Sequence, residues 1–278
     1  MTDIAVTGAT GHIGGGVARR LAAHGVPLRL IVRDPGRAPD LPHATVATAE
    51  YGDRDASERA LRGVRTALMV SAAEAPDRLA RHRTFIDAAA AAGVHHLVYV
   101  SFFGAAADAT FTLARDHHAT EEHLRASGMA FTALRDNLYA DFLAELAGPD
   151  GVIRGPAGDG RVAAVARDDV VASAVTVLRA PEQHENRVYG LTGPEALTLA
   201  EVAAIVSERS GRTVTYLPET VAEAYASRAG YGAPDWQVDA WVSTYTAIAA
   251  GELAEVTGDV PLLTGRPATP LRDLVKRA

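Results

Sequence analysis

A doubly wound α/β fold, a parallel sheet with helices on both faces, is what this sequence predicts. Three observations predict it. A short apolar run, Ile4-Ala5-Val6, passes straight into Thr7-Gly8-Ala9-Thr10-Gly11-His12-Ile13-Gly14 and then into a helical pattern with Val17, Leu21 and Ala22 on one face. Short apolar runs and helical stretches then alternate as far as Asn137. The 278 residues are 48% hydrophobic and 22% charged, ordinary for a globular chain, and include no cysteine, so packing alone must build the core.

The opening strand, turn and helix have a physical purpose. Gly8 lets the chain turn sharply, Gly11 brings backbone close to a bound diphosphate, and Gly14 lets helix and strand pack closely. The helix start then faces the anion with its backbone N–H groups and its dipole. Pro27 to Val32 is the second predicted strand, ending at Arg33-Asp34-Pro35-Gly36, and Ala44 to Ala49 the third, closed by Tyr51-Gly52-Asp53. A short helix over Asp55 to Leu61 leads to a fourth strand, Thr66 to Val70, which runs into Ser71-Ala72-Ala73-Glu74. Arg78 to Ala92 is an alanine-rich helix ending at Gly93, a suitable C-cap. His96 to Val100 is the fifth strand, Thr112 to Ala126 a helix stopped by Gly128, and Ala130 to Leu134 the sixth strand.

Beyond Asn137 the alternation loosens. Two glycine- and proline-rich clusters, Gly148 to Gly151 and Gly155 to Gly160, flank a short strand. Asp168 or Asp169 is placed to cap a helix over Val170 to Leu178. Arg187 to Leu191 is a strand able to return to the main sheet. Helices follow over Leu197 to Ser210, Thr220 to Ala229 and Trp236 to Ala250, with a strand at Val214 to Leu217. Tyr225, Tyr231, Trp236, Trp241 and Tyr245 concentrate here, as core or lid packing or as the wall of an aromatic substrate's pocket.

Charge and chain chemistry exclude several functions. A net charge of −7 gives no reason to expect nucleic acid or anionic membrane as a partner. No apolar run approaches a membrane span, and no signal peptide precedes the first strand, so a cytoplasmic protein is expected. Metal is not expected: His117/Glu121 and His118/Glu122 have helical i,i+4 spacing, but no further ligand group is evident.

Ligands of an open parallel sheet bind beyond the carboxyl ends of its strands. Arg33 ends the second strand, where an arginine suits the 2′-phosphate of NADP and an acid the ribose hydroxyl of NAD. It favours NADP(H), although Asp34 stands one residue later. Asp53 and Ser71 end the next strands, where they would either meet the adenosine half or stabilise their own loops. Lys276 is the only lysine, and no tyrosine stands four residues before it. The Tyr-x-x-x-Lys pair of short-chain dehydrogenases, in which the ammonium lowers the tyrosine pKa, is therefore missing. Without that proton donor, an electron-poor conjugated acceptor is expected, because it needs little more than an aligned hydride source. His117 has two readings, a solvated helix face or a hydrogen-bond donor to cofactor ribose or substrate oxygen.

Taken together, Val6-Thr7-Gly8-Ala9-Thr10-Gly11, Ile31-Val32-Arg33, Tyr51-Gly52-Asp53, His117 with Thr120-Glu121, Leu134-Arg135, Leu138 to Phe142 and His184-Glu185-Asn186 resemble the NmrA-like branch of atypical short-chain dehydrogenase/reductases. Within it they are most similar to type-2 NADPH:quinone oxidoreductases and triphenylmethane reductases. The resemblance implies a Rossmann-type doubly wound parallel sheet with a smaller C-terminal α/β substrate domain, and NADPH in the cleft between them. Residues 1–147, completed by 165–192, would form the NADP-binding domain, and 148–164 with 193–278 the substrate domain. By position, Gly8, Thr10, Gly11, His12, Ile13 and Gly14 would hold the diphosphate, and Arg33 the 2′-phosphate. Ser71 and Ala72 would flank the adenosine side with Asp53, and Phe102 would lie nearer the nicotinamide. His117 and Tyr139 would be the catalytic pair.

One departure is visible: Asp136-Asn137 follows Leu134-Arg135, where the look-alikes put asparagine directly after arginine. The exchanged order either moves the amide contact onto Asn137 or puts a carboxylate in the pocket. The implied activity is NADPH-dependent hydride transfer to a quinone or similar conjugated acceptor. A non-catalytic NADP(H)-binding sensor, or a reductase of a biosynthetic intermediate, is the alternative. A small aromatic or quinone-like substrate is the expected partner, and homo-oligomerisation is left open.

Overall fold

In the computed structural model, which describes residues 4–275, the elements follow in chain order. They are β1 (Ile4–Thr7), α1 (His12–Ala23), β2 (Leu28–Val32), β3 (Ala44–Thr48), α2 (Arg54–Leu61), β4 (Thr66–Val70), α3 (Arg78–Ala91), β5 (His96–Phe102), α4 (Thr112–Ala126), β6 (Ala130–Asp136) and α5 (Ala140–Glu145). The remainder are β7 (Val152–Gly155), β8 (Arg161–Val162), α6 (Arg167–Arg179), β9 (Arg187–Leu191), β10 (Leu197–Thr198), α7 (Leu199–Ser210), β11 (Thr215–Pro218), α8 (Val221–Arg228), α9 (Asp235–Ala249), α10 (Asp259–Thr264) and α11 (Leu271–Leu274). Lys276 lies outside the described residues.

Seven strands form the main sheet in the order β3-β2-β1-β4-β5-β6-β9, and the five strands from β3 to β5 pair in parallel. The expected doubly wound sheet is therefore present. Strands covered on both faces need apolar side chains throughout, which is why Ile4-Ala5-Val6 and Ala67-Leu68-Met69 show no alternation. The order reverses between β1 and β4, so a crevice opens beyond Thr7 and Val70.

The chain divides into two compact units. Unit one is Met1–Ser101, Asp116–Arg135 and Val170–Tyr189. Its core packs Phe85, Ile86, Leu97, Tyr99 and Leu124 against Leu61, Ala67 and Met69. Unit two is Phe102–Arg115, Asp136–Asp169 and Gly190–Ala278. It is centred on Leu143, Ile153, Leu199, Val202, Ile248 and Leu271. Its small sheets pair β11 with β7 in parallel and β10 with β8 antiparallel. Helices α7 and α8 both start in full capping boxes, Thr198 with Glu201 and Thr220 with Glu223, in which each side chain satisfies the other residue's backbone N–H.

Several elements differ from the sequence reading. Leu197 and Thr198 form a strand and cap rather than the first turn of α7. The expected cap at Asp168 or Asp169 is corrected, because α6 begins earlier, at Arg167, with both aspartates in its first turn. Asp169 is buried and takes the backbone N–H of Thr269 at 2.6 Å and the Arg266 guanidinium at 2.7 Å, so it anchors the C-terminal segment. Helices α5, α10 and α11 were not read from the sequence. Among the described residues no helix is long and apolar enough to cross a membrane.

Candidate functional site

The turn after β1 is built by close backbone approach. Gly8 adopts φ +64°, a conformation that favours glycine, and a Cβ there would press on Val70 at 3.1 Å. The Gly11 N–H donates to the Gly8 carbonyl at 2.9 Å, and a Cβ on Gly14 would collide with the backbone of Thr7 and Gly8. Helix α1 therefore sits directly on the end of β1. Gly11 is its N-cap, no side chain caps it, and no acidic residue stands in its first turn. Its first N–H groups lack acceptors within the helix and face outward at exposed Gly11 and His12. That end suits an anion.

Gly8, Thr10, Arg33, Ser71 and Ala72 line one cavity of about 170 Å³ in unit one. Arg33 is exposed and makes no ion pair among the described residues, whereas the Asp34 carboxylate accepts the Gly36 N–H at 2.9 Å and caps its own turn. Asp53 is not at the cavity, because its carboxylate caps α2 by accepting the Ala56 N–H at 2.9 Å. Sequence reasoning assigned no site role to Tyr51 or Arg81, which also line the cavity. Tyr51 forms its floor in a closed cycle. The Val70 N–H donates to Thr7 Oγ1 at 3.0 Å and Tyr51 donates to the Val70 carbonyl at 2.6 Å, leaving the Thr7 hydroxyl to donate to Tyr51. Burial pushes the Tyr51 hydroxyl pKa upward against the Thr7 bond, so it stays a phenol.

Behind the cavity wall lies a buried polar network that the sequence did not show. The backbone of Ala72 is held at both ends: its N–H donates to His82 Nε2 at 2.9 Å and its carbonyl accepts Arg78 Nε at 2.9 Å. A backbone N–H and a guanidinium can only donate, which fixes the remaining protons. His82 Nε2 is bare, so Nδ1–H donates to Thr120 Oγ1 at 2.9 Å. Arg78 Nη2 donates to His117 Nε2 at 2.8 Å, so His117 Nδ1–H donates to the Tyr99 hydroxyl at 2.8 Å. Tyr99 in turn bonds Thr120. Both imidazoles are neutral. Burial, reinforced by the Arg78 charge, holds His82 down to about 3 and His117 well below the usual histidine range.

His117 thus has both ring nitrogens engaged inside unit one and does not lie on a solvated helix face. Glu121, one turn on, is fully buried. Burial alone would raise its carboxyl, but a two-pronged Arg135 bond at 2.8 and 2.7 Å, Ser101 at 2.6 Å and Arg125 together lower it. Among the described residues no group of three or more ligand-type side chains is gathered.

Ile13 is buried in the first turn of α1, whereas Phe102, Asn137 and Tyr139 belong to unit two. Phe102 packs edge-on to Phe111, ring centres 4.9 Å apart. Asn137 is a latch: its amide donates to the Leu253 carbonyl at 3.0 Å, and its oxygen accepts the Leu138 N–H at 2.7 Å. Tyr139 donates to Asp136 at 2.6 Å beneath the Arg167 guanidinium. Burial first and the Asp136 carboxylate second hold its hydroxyl pKa well above the usual tyrosine range. The exchanged Asp136-Asn137 order therefore gives Tyr139 a carboxylate partner and leaves the amide to the backbone.

The NmrA-like family matches residues 1–228 of the chain. Quinone oxidoreductase 2 of Escherichia coli (strain K12) is 37% identical over 280 residues, which cover 98% of this chain and 97% of that one. The crystal structure of the NADPH-dependent quinone oxidoreductase from E. coli, complexed with NADPH, superposes with a TM-score of 0.89 at 36% identity, covering 98% of each chain. Triphenylmethane reductase of Citrobacter sp., complexed with NADP(H), gives 0.87 at 32% identity and again covers 98% of each chain. With the strand order, the glycine turn and whole-chain similarity in agreement, this chain belongs to the NmrA-like family.

Proposed function

We propose that this protein is an NADPH-dependent reductase that passes hydride directly to a quinone or similar conjugated acceptor. The observation that carries the reading is the cradle at the strand-order reversal of unit one. There an uncapped α1 terminus and Gly8 at positive φ stand at the cavity that Arg33 lines. The residues present suit a nicotinamide dinucleotide, which supplies the hydride when bound. Backbone N–H groups from Gly11 to Gly14 would hold its diphosphate, with Thr10 and Gly8 at the turn, and Ser71 and Ala72 would flank the adenosine. Arg33 would hold a 2′-phosphate by a charge-assisted fork, and Asp34 does not compete because it caps its own turn. NADP(H) is therefore preferred over NAD(H). Asp53 has no part in this reading, since it caps α2.

Proton supply is the second half of the reading. Tyr139 donates to Asp136 and is held above its usual pKa, so it is no acid at neutral pH. His117 is neutral and donates inward to Tyr99, so it positions Arg78 rather than protonating a ligand. A reduced quinone is a stabilised anion and takes its proton from water, which makes an acid on the protein unnecessary. Unit one serves the cofactor, unit two the acceptor, and the reaction belongs in the cytoplasm. A non-catalytic regulator is not favoured, because the whole-chain relatives above 30% identity are reductases by name.

Steady-state oxidation of NADPH with a panel of quinones tests the reading. Turnover is expected. Protein that binds NADPH yet turns over no member of the panel would sink it, and a regulator would then be sought by comparing affinity for oxidised and reduced cofactor.

A further inference from the structure

Unit two holds a second, larger cavity of about 550 Å³, in the range of small-molecule sites. Most of its wall is fixed. Trp241, Thr244, Tyr245 and Ile248 recur at helical spacing along one face of α9. Tyr245 lies on Gly155, where any Cβ would run into its ring, and the Arg228 guanidinium covers that ring at 5.2 Å. Arg228 is matched by Glu219 at 3.0 Å and Arg154 by Asp150 at 2.6 Å, so neither brings an unbalanced charge to the wall.

Tyr231 is held differently. It lines the cavity yet is 71% exposed, and its ring meets Trp241 edge-on at 6.1 Å. Nearby tyrosines are tied by their hydroxyls: Tyr216 donates to the Gly155 carbonyl at 2.8 Å and Tyr225 to Asp239 at 2.8 Å. The Tyr231 hydroxyl has no such partner among the described residues. Its backbone is equally unrestrained. Tyr231 ends the short turn Ala229–Tyr231 between α8 and α9, with Gly230 before it and Gly232 after it. Gly232 adopts φ +65°, and a Cβ on either glycine would meet no atom within 4 Å, so the turn stands clear of the body. Both ends of the segment are pinned. Arg228 is nearly buried and donates to the Ala224 and Arg154 carbonyls at 2.9 and 3.1 Å, while the Pro234 carbonyl accepts the Gln237 N–H at 2.9 Å. A glycine-flanked aromatic ring between two fixed ends has the build of a hinged flap.

We propose that Tyr231 is the lid of this cavity: it folds from solvent onto the face of a ring bound there, and the segment from Gly230 to Gly232 closes with it. On the reductase reading, on which this point rests, that ring is the hydride acceptor. Closure buries the tyrosine ring against the acceptor and expels water from it, so Tyr231 is a positioning residue for the acceptor and not for the cofactor.

Amide hydrogen exchange and steady-state kinetics, both with menadione, test the lid. In the free protein the amides from Gly230 to Ala233 should exchange fast, and saturating menadione should slow them about tenfold or more. Tyr231→Ala should abolish that slowing and raise the KM for menadione about tenfold, with the KM for NADPH within about twofold of wild type. Tyr231→Phe keeps the ring and should match wild type in both measurements. Because Tyr231 is exposed, neither substitution endangers the fold. Menadione turnover with unchanged exchange, or with a wild-type KM in Tyr231→Ala, overturns the lid and leaves the reductase reading standing. Slowed exchange that Tyr231→Ala abolishes, in protein that oxidises no NADPH, upholds the lid and overturns the reductase reading. Neither turnover nor slowed exchange overturns both.

Discussion

Arg78 carries a full charge into unit one at 4% side-chain exposure, and its nearest carboxylate, Asp116, stands 3.7 Å away. Its Nη1 has no hydrogen-bond partner among the described residues. His117 therefore matters as the acceptor for Nη2. His117→Ala should destabilise the protein by about 2–4 kcal/mol, because a buried donor loses its partner. Chemical denaturation reads that loss, while the pH profile of kcat should keep its wild-type shape; a profile that loses a limb would make His117 an acid after all. At the cavity, Arg33→Ala should weaken NADPH roughly tenfold to a hundredfold and NADH hardly at all. Unchanged discrimination in titrations of both cofactors would mean the phosphate is read elsewhere. Arg33 was legible because a strand end fixes where its side chain goes. The setting of His117 was not: its partners lie 39 residues before it at Arg78 and 18 before it at Tyr99, and helical spacing suggested Glu121 instead.

Helix α1 is placed by the absence of a side chain. A Cβ on Gly14 would meet backbone of Thr7 and Gly8, which has no flexible end to yield, so Gly14→Ala must push α1 off β1. The expected cost is about 1–3 kcal/mol by overpacking, with a parallel loss of NADPH affinity as the helix start moves from the cradle. A thermal melt and a cofactor titration on the same sample check both, and an unchanged affinity would detach the helix start from binding. At the other end of the chain, Asp169→Ala removes acceptors from Thr269 and Arg266. Trypsin should then cut early at Arg272, and an unchanged digestion pattern would deny Asp169 its anchoring role. The long helical period of α4 and the unbroken apolar run of β4 were legible, and both elements lie where the sequence put them. Helices α5, α10 and α11 span six, six and four residues, too short for a repeating apolar face, so no period could disclose them.

For the molecule as a whole, the buried histidines set an acid limit. His82 is held down to about 3 and His96 to about 4, both chiefly by burial, and His117 is lowered as well. Unfolded histidine takes a proton near pH 6.5 while these folded ones do not, so the unfolded state binds more protons below that pH. Stability is then full above about pH 6.5 and falls steadily as the pH drops toward the folded values. His82 alone accounts for about 2 kcal/mol by pH 5. Denaturant midpoints at several pH values between 7.5 and 5 should show the decline, and a flat series would contradict the neutral network. The clamp on Ala72 bears on motion rather than on energy. Loops that line ligand sites usually exchange their amide hydrogens quickly, through small local openings. Here the amide at the centre of the Ser71-Ala72-Ala73 loop is sealed by His82, which is itself locked to α4 through Thr120. Deuterium should enter at Ala72 only as fast as unit one unfolds, with or without cofactor, so the cofactor meets this wall already in its final form.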